Sequence, residues 1–245
     1  MRITLLSILI ALIACSCAIP EDIVRIESTE NNIDWLMGKQ VVTKNKDSLT
    51  IALKYEQDKG AYIFFDTEIL NHSSEKVTVS SKNYSIIEIN DTSTYQQWIG
   101  ATDPEEMLLK KDIDISRSIA AQKNAATTSL IIGTALLATD IAMTVSDKDT
   151  PQKAAARAAT ADASYITTSA VHNANVRKEN LGYRERAFWA KDVLRKTTLY
   201  PGESIRGYVI FPKKNLFDSF EVEIKVGEKS FNFGYNQHRI PANNY

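Results

Sequence analysis

Phe220-Glu221-Val222-Glu223-Ile224-Lys225-Val226 alternates apolar and charged residues over its whole length. Because side chains on a strand have a period of two, Phe220, Val222, Ile224 and Val226 share one face and the charges share the other. That is the pattern of an antiparallel sheet with one wet side. The same period runs through Ser204–Phe211 and Lys229–Phe233 near it, and through Ser48–Tyr55 far upstream, where Leu49, Ile51, Leu53 and Tyr55 line up. Around that upstream strand lie Gln40–Thr43, the β-former-rich run Ala61–Leu70, then Val77–Val79 and Tyr84–Ile89. Turn residues separate them at Asp58-Lys59-Gly60 and at Asn71–Lys76. Eight strands in two clusters predict a β-sandwich, with the clusters pairing to bury both apolar faces.

Between the clusters the period changes. From Ala101 to Leu181 the only glycine is Gly133, and the two prolines, Pro104 and Pro151, sit where helices begin. Asp103-Pro104-Glu105-Glu106 supplies an N-cap, a proline at the first helical position and acids in the first turn, and Thr150-Pro151 repeats the cap and proline. Two helices are expected, 104–146 and 151–195, and the short connection makes them antiparallel neighbours. Folding the hairpin there brings Ile141 to the level of Ala155, Leu137 to Ala159 and Ile131 to Tyr165 and Ile166. Sixteen alanines between Ala120 and Ala174 permit a close approach. The first helix is nevertheless apolar on most sides from Leu130 to Val145, more than one alanine-rich partner covers. Leu130, Ile131, Leu137, Asp140 and Ile141 are therefore the candidate interaction surface. Asp140 is explained either by solvent exposure near the hairpin tip or by a hydrogen bond to the second helix or to a neighbouring protomer. Asn124–Ser146 is also long enough to cross a bilayer with one charge, Asp140. Lys153, Arg157 and Asp162 on the second helix make its return through lipid costly, which favours a hairpin outside the membrane.

Residues 1–14 carry one charge, Arg2, and then the apolar run Ile3–Ile13, the length of a secretory signal core and short for a permanent span. The run closes on Leu12-Ile13-Ala14-Cys15, which resembles the lipobox of bacterial lipoproteins. The resemblance implies cleavage between Ala14 and Cys15 and acylation of Cys15 with palmitate-type chains. At about 0.8 kcal/mol per buried methylene, two or three chains make a stable anchor. Ser16 in place of an aspartate favours the outer membrane under the enterobacterial sorting rule. Ala18–Asn32, with little sustained period, reads as part of a tether.

The composition narrows function mainly by exclusion. Lys+Arg 29 against Asp+Glu 30 gives a net charge of -1, with no basic excess for a phosphate backbone, so no nucleic acid is expected. Both cysteines, Cys15 and Cys17, lie at the start, and His72, His172 and His238 fall in separate segments, so neither a metal nor another cofactor is expected. Nucleophile elbow, P-loop, zincin helix and dinucleotide fingerprint are all missing, and the chain reads as non-enzymatic. Arg184, Arg186, Lys191, Arg195 and Lys196 interleave with Tyr183, Phe188 and Trp189. They are expected to form the wet side of an amphipathic helix with Phe188, Trp189 and Val193 inward.

Thr197–Pro212, with Leu199, the Pro201-Gly202 turn and Gly207-Tyr208-Val209-Ile210-Phe211 on a strand, resembles a pattern of uncharacterised bacterial envelope lipoproteins with an immunoglobulin-like sandwich. Phe65–Val79, a strand, an Asn-x-Ser and a second apolar strand, fits the same domain type. A type II turn suits Pro201-Gly202, and Gly207 would allow close packing at the sheet. The expected architecture is α+β. A signal peptide (1–14) and tether (15–34) precede an antiparallel immunoglobulin-like β-sandwich (35–100 and 197–238) carrying an inserted antiparallel helical hairpin (101–196). The expected role is that of a lipid-anchored protein of the cell envelope that binds another protein or forms a homo-oligomer through the hairpin. The alternative is a membrane-active protein whose alanine-rich helix enters lipid.

Overall fold

A computed structural model describes residues 23–89, 97–144, 151–213 and 216–240, with the side chains of 125, 126, 128–144 and 151–168 outside the description. The elements run β1 (Ile23–Ser28), β2 (Asp34–Leu36), β3 (Lys39–Lys46), β4 (Leu49–Lys59), β5 (Tyr62–Asn71), β6 (Val77–Val79), a single 3-10 turn (Ser81–Asn83), β7 (Tyr84–Glu88) and β8 (Trp98–Gly100). Two long helices follow, α1 (Pro104–Thr144) and α2 (Pro151–Lys191). The chain closes through β9 (Thr197–Leu199), β10 (Ser204–Pro212), β11 (Ser219–Val226) and β12 (Lys229–Ile240). The fold is α+β: two five-stranded antiparallel sheets, a two-stranded ribbon and the helix pair.

The first sheet has the order β1-β12-β11-β7-β8, the second β10-β5-β4-β3-β2, and β6 pairs with β9. Both sheets therefore mix strands from the two ends of the sequence, as the unpaired apolar faces of the two clusters require. Phe220, Val222, Ile224 and Val226 face inward with Tyr84, Ile86, Phe231, Phe233 and Tyr235 from the first sheet. Leu49, Ile51, Leu53, Phe65, Val209 and Phe211 meet them from the second. Phe65 and Tyr235 cross the gap with ring centroids 5.2 Å apart, edge to face.

Where the structure departs from the pattern, pairing is the reason. Residues 23–28, expected within a tether, form β1, whose Val24 and Ile26 are buried against the core while Arg25 between them is exposed. β1 pairs with β12 from Ile23↔Ile240 to Ser28↔Tyr235, and this second partner extends β12 to Ile240, past the Phe233 at which the alternation stops. Three-residue strands such as β2, β8 and β9 are too short to show a period, and only their neighbours define them. α2 stops at Lys191, four residues before the expected end. There Val193 makes a parallel bridge to Tyr208, and the Leu194 N–H donates to the Tyr208 carbonyl at 2.8 Å.

Two turns tie the sequence halves together. Gly202 takes the positive φ (83°) that the Pro201-Gly202 turn demands, and the Glu203 N–H closes it on the Tyr200 carbonyl. Asn71, wholly buried at the end of β5, donates from Nδ2 to the carbonyls of Leu199 (3.2 Å) and Glu75 (2.7 Å). Its Oδ1 accepts from the backbone N–H and hydroxyl of Ser73.

A Cβ on Gly207 would stand 3.0 Å from the Leu194 backbone nitrogen and 3.3 Å from the Asp192 carbonyl, where the chain leaving α2 lies against β10. Backbone cannot swing aside as a side chain can. Gly207→Ala should therefore destabilise the protein by about 1–3 kcal/mol, read as a lower midpoint in urea unfolding. An unchanged midpoint would show that this crossing is loosely packed.

Candidate functional site

The hairpin is seated on the outer face of the second sheet. β5 and β10 carry apolar residues on both faces: while Phe65, Val209 and Phe211 point to the core, Phe64, Ile210, Tyr62 and Tyr208 point away from it. Leu108 and Met107 from α1, with Phe188, Trp189 and Ala190 from α2 and Val193 just beyond it, cover that outer patch. Trp189 meets Tyr62 edge to face at 6.5 Å, and Phe188 lies 6.0 Å from both Phe64 and Tyr208. The inward placement expected of Phe188, Trp189 and Val193 is observed.

The start of α1 is fixed as its sequence foretells. Asp103 accepts from the Glu105 backbone N–H at 3.0 Å, and its side chain pairs with Lys82 at 2.8 Å; that bond holds the Asp103 carboxyl below its usual range. From the seat outward the helices run antiparallel. Arg195 grips Glu105 through two bonds of 2.6 and 2.9 Å, Arg186 pairs with Asp112, Lys111 with Glu185, and Gln122 donates to Glu179. Ile115 packs on Gly182, where a Cβ would lie 2.8 Å from the isoleucine Cγ1. These pairs are in step with the register expected from a loop at 146–150. Arg186 and Arg195 of the basic stretch at 184–196 are thus paired with acids of α1. Each such exposed pair contributes little to stability but sets which residues face each other.

The apolar surplus on the described part of the hairpin falls on solvent. Leu109 and Ile113 are exposed one turn apart on α1, and Val171, Leu181 and Tyr183 are exposed on α2. Leu130, Ile131, Leu137, Asp140 and Ile141 lie on the helical backbone of α1, but their side chains are outside the described residues, as Ala14 and Cys15 are altogether. Among the described residues no helix is long and apolar enough to cross a membrane. His72, His172 and His238 are exposed on three separate segments, with His238 in β12 instead of beyond the last strand, and no metal-binding cluster occurs among the described residues.

One feature is not visible in local periodicity. Beside the hairpin seat, the outer face of the second sheet carries a row of charges. Arg206 donates to both oxygens of Asp66 at 3.0 and 2.6 Å, and Lys54 bridges Asp66 (3.1 Å) and Glu56 (2.9 Å); Glu56 also takes Lys39. Asp66 is only 8% exposed. Burial alone would raise its pKa, but the hydrogen bonds from Arg206 and Lys54 outweigh it and hold the carboxyl below the usual range. The available signal was Asp66 itself, a charge amid the apolar run of β5. Its partners come from β4 and β10, which only the ladder brings alongside. Each carboxylate of the row is held by two cations, the mark of a structural element instead of a reactive centre.

Compared with family models, curated proteins and solved structures, the chain matches none.

Because the folded pKa of Asp66 is depressed, its stabilisation is present above the unfolded value near 3.9 and is lost as pH falls through the lower folded value. Asp66→Asn should cost about 2–3 kcal/mol at pH 7, since Arg206 stays partly solvated. The gap between the two proteins in thermal unfolding should close as pH drops below about 4. A gap of constant size down to pH 2 would assign the loss to packing instead of charge.

Proposed function

We propose that this chain is a lipid-anchored, non-enzymatic protein of the bacterial cell envelope whose helical hairpin associates with a protein surface, a second copy of itself first of all. The observation that carries this reading is the hairpin's divided chemistry. Its base is buried on the sheet and ion pairs such as Lys111–Glu185 and Arg186–Asp112 join the helices, while Leu109, Ile113, Leu181 and Tyr183 remain exposed. An element held at its base and cross-linked along its length that still presents apolar residues is suited to docking. The two antiparallel sheets around one core support an immunoglobulin-like reading of the sandwich, with the hairpin as an insertion between β8 and β9. The apolar segment 124–139 supports a second reading, in which the distal hairpin enters lipid.

Sedimentation of the chain lacking residues 1–17 tests association. A dimer or larger species is expected, shifted at least tenfold toward monomer by Leu109→Glu with Ile113→Glu, which corresponds to about 1.4 kcal/mol or more. A strict monomer, unaffected by detergent, would remove self-association. Flotation of the same chain with liposomes tests the second reading: a body that stays at the bottom of the gradient excludes insertion of the hairpin.

Anchoring is tested at the cysteines. Cys15→Ala should abolish metabolic labelling with palmitate and release the protein or leave it uncleaved. Cys17→Ala, whose preceding Ala14 and Ser16 fit the lipobox less well, should keep label and anchor. Full labelling of the Cys15→Ala protein would sink the assignment.

A further inference from the structure

The β body has two ends of opposite chemistry. One end is marked by β10 finishing at Pro212 opposite Tyr62 in the second sheet, and by β11 starting at Ser219 in the first. Only six residues separate Pro212 from Ser219 in the sequence, so these two strand ends lie at the same end of the body. The ladders place β1 beginning at this end (Ile23↔Ile240), β7 finishing there and β8 starting there (Ile87↔Trp98), and the β2–β3 turn lying there at Met37-Gly38. The opposite end is fixed by Lys229, which donates to the Asp47 carbonyl at 2.8 Å across the two sheets, and by the Asn71 and Gly202 turns.

Exposed large hydrophobic residues of the β body gather at the first end. Ile23, Trp35, Leu36, Met37, Ile89 and Trp98 are all there; among the described residues only Tyr200 is at the other, whose turns are Asp47-Ser48, His72–Lys76 and Gly227-Glu228. The exposure is high: Met37 96%, Trp98 71%, Trp35 66%. Nothing in the core accounts for them. Met37 projects from a tight turn with φ 51°, followed by Gly38 at 77°, a geometry that holds the side chain outward.

This same end receives the chain from Cys15. Eight peptide steps separate Cys15 from Ile23, which fully extended span at most about 28 Å. On the anchoring reading proposed above, an acylated Cys15 holds this end, and not the polar one, close to the head groups. We propose that the apolar end is a lipid-contact surface, on which Trp35 and Trp98 lie at the level of the head groups and Leu36 and Met37 reach the acyl boundary. Tryptophan suits that position because its ring is apolar and its indole N–H still finds water or head-group oxygen. The body then rests on the bilayer by a defined face, in place of swinging on its leash.

The test uses the full chain, reconstituted from membranes at low density into vesicles of phosphatidylethanolamine and phosphatidylglycerol, some with brominated acyl chains. Three tryptophans are present, and Trp189, buried at the hairpin seat, is the internal control. Brominated lipid should quench Trp35 and Trp98, with roughly half of the quenching lost in either Trp35→Phe or Trp98→Phe and nearly all in the double variant. Absence of quenching in protein that still carries palmitate overturns the proposal while leaving the anchor intact. Emission that changes with protein density instead of with bromination assigns the end to a second copy and also overturns it. Quenching that persists in protein without palmitate supports the lipid-contact surface and removes the anchoring reading instead.

Discussion

The structure depends on a sheet that must be covered on both faces. β5 and β10 lie side by side with Phe65, Val209 and Phe211 inward and Phe64, Tyr208 and Ile210 outward. Each large apolar side chain moved from water into packed protein contributes about 1.5–3 kcal/mol. The first sheet supplies the cover on one side, and on the other only the base of the helical hairpin is available. The insertion between β8 and β9 is thereby part of the fold and not a loop appended to it.

That arrangement partitions the outer face of the second sheet. Where the hairpin sits, the surface is aromatic. Beside it, Arg206, Asp66, Lys54, Glu56 and Lys39 form a row in which carboxylates and cations alternate across four strands. A charge such as Asp66 is tolerable at low exposure because two cations share it. Asp103 with Lys82, and Arg195 with Glu105, fix the two helix ends at the other side of the seat.

The molecule is polarised along the strands. The end that receives the chain from Cys15 is apolar and aromatic, and the far end is built from hydrogen-bonded polar turns around Asn71 and Asp47. Such asymmetry costs solubility without improving the core, so its explanation lies in what the apolar end touches. The hairpin adds further exposed apolar residues, Leu109, Ile113, Leu181 and Tyr183, on helices joined by ion pairs. The two surfaces fit the tasks proposed for them, contact with a bilayer and contact with a protein.

The sequence by itself determined the elements whose signal is local. Strict alternation placed Phe220–Val226 and Leu49–Tyr55, and Asp103-Pro104 and Thr150-Pro151 marked two helices and their antiparallel register. Pro201-Gly202 required its turn, and Gly207 announced a close approach. What it could not contain were features made of partners distant in the chain. Ile23–Ser28 looks like part of a tether until β12 lies beside it; β2, β8 and β9 are too short to carry a period; and Asp66 becomes half of a bidentate pair only when β10 arrives with Arg206. The gathering of Trp35, Met37 and Trp98 at one end is likewise invisible in one dimension, because periodicity says which face a residue occupies and not which end of the sheet its strand reaches. Local propensity and period are properties of adjacent residues, whereas ladder partners and sheet ends are set by long-range pairing, and only the tertiary structure decides that.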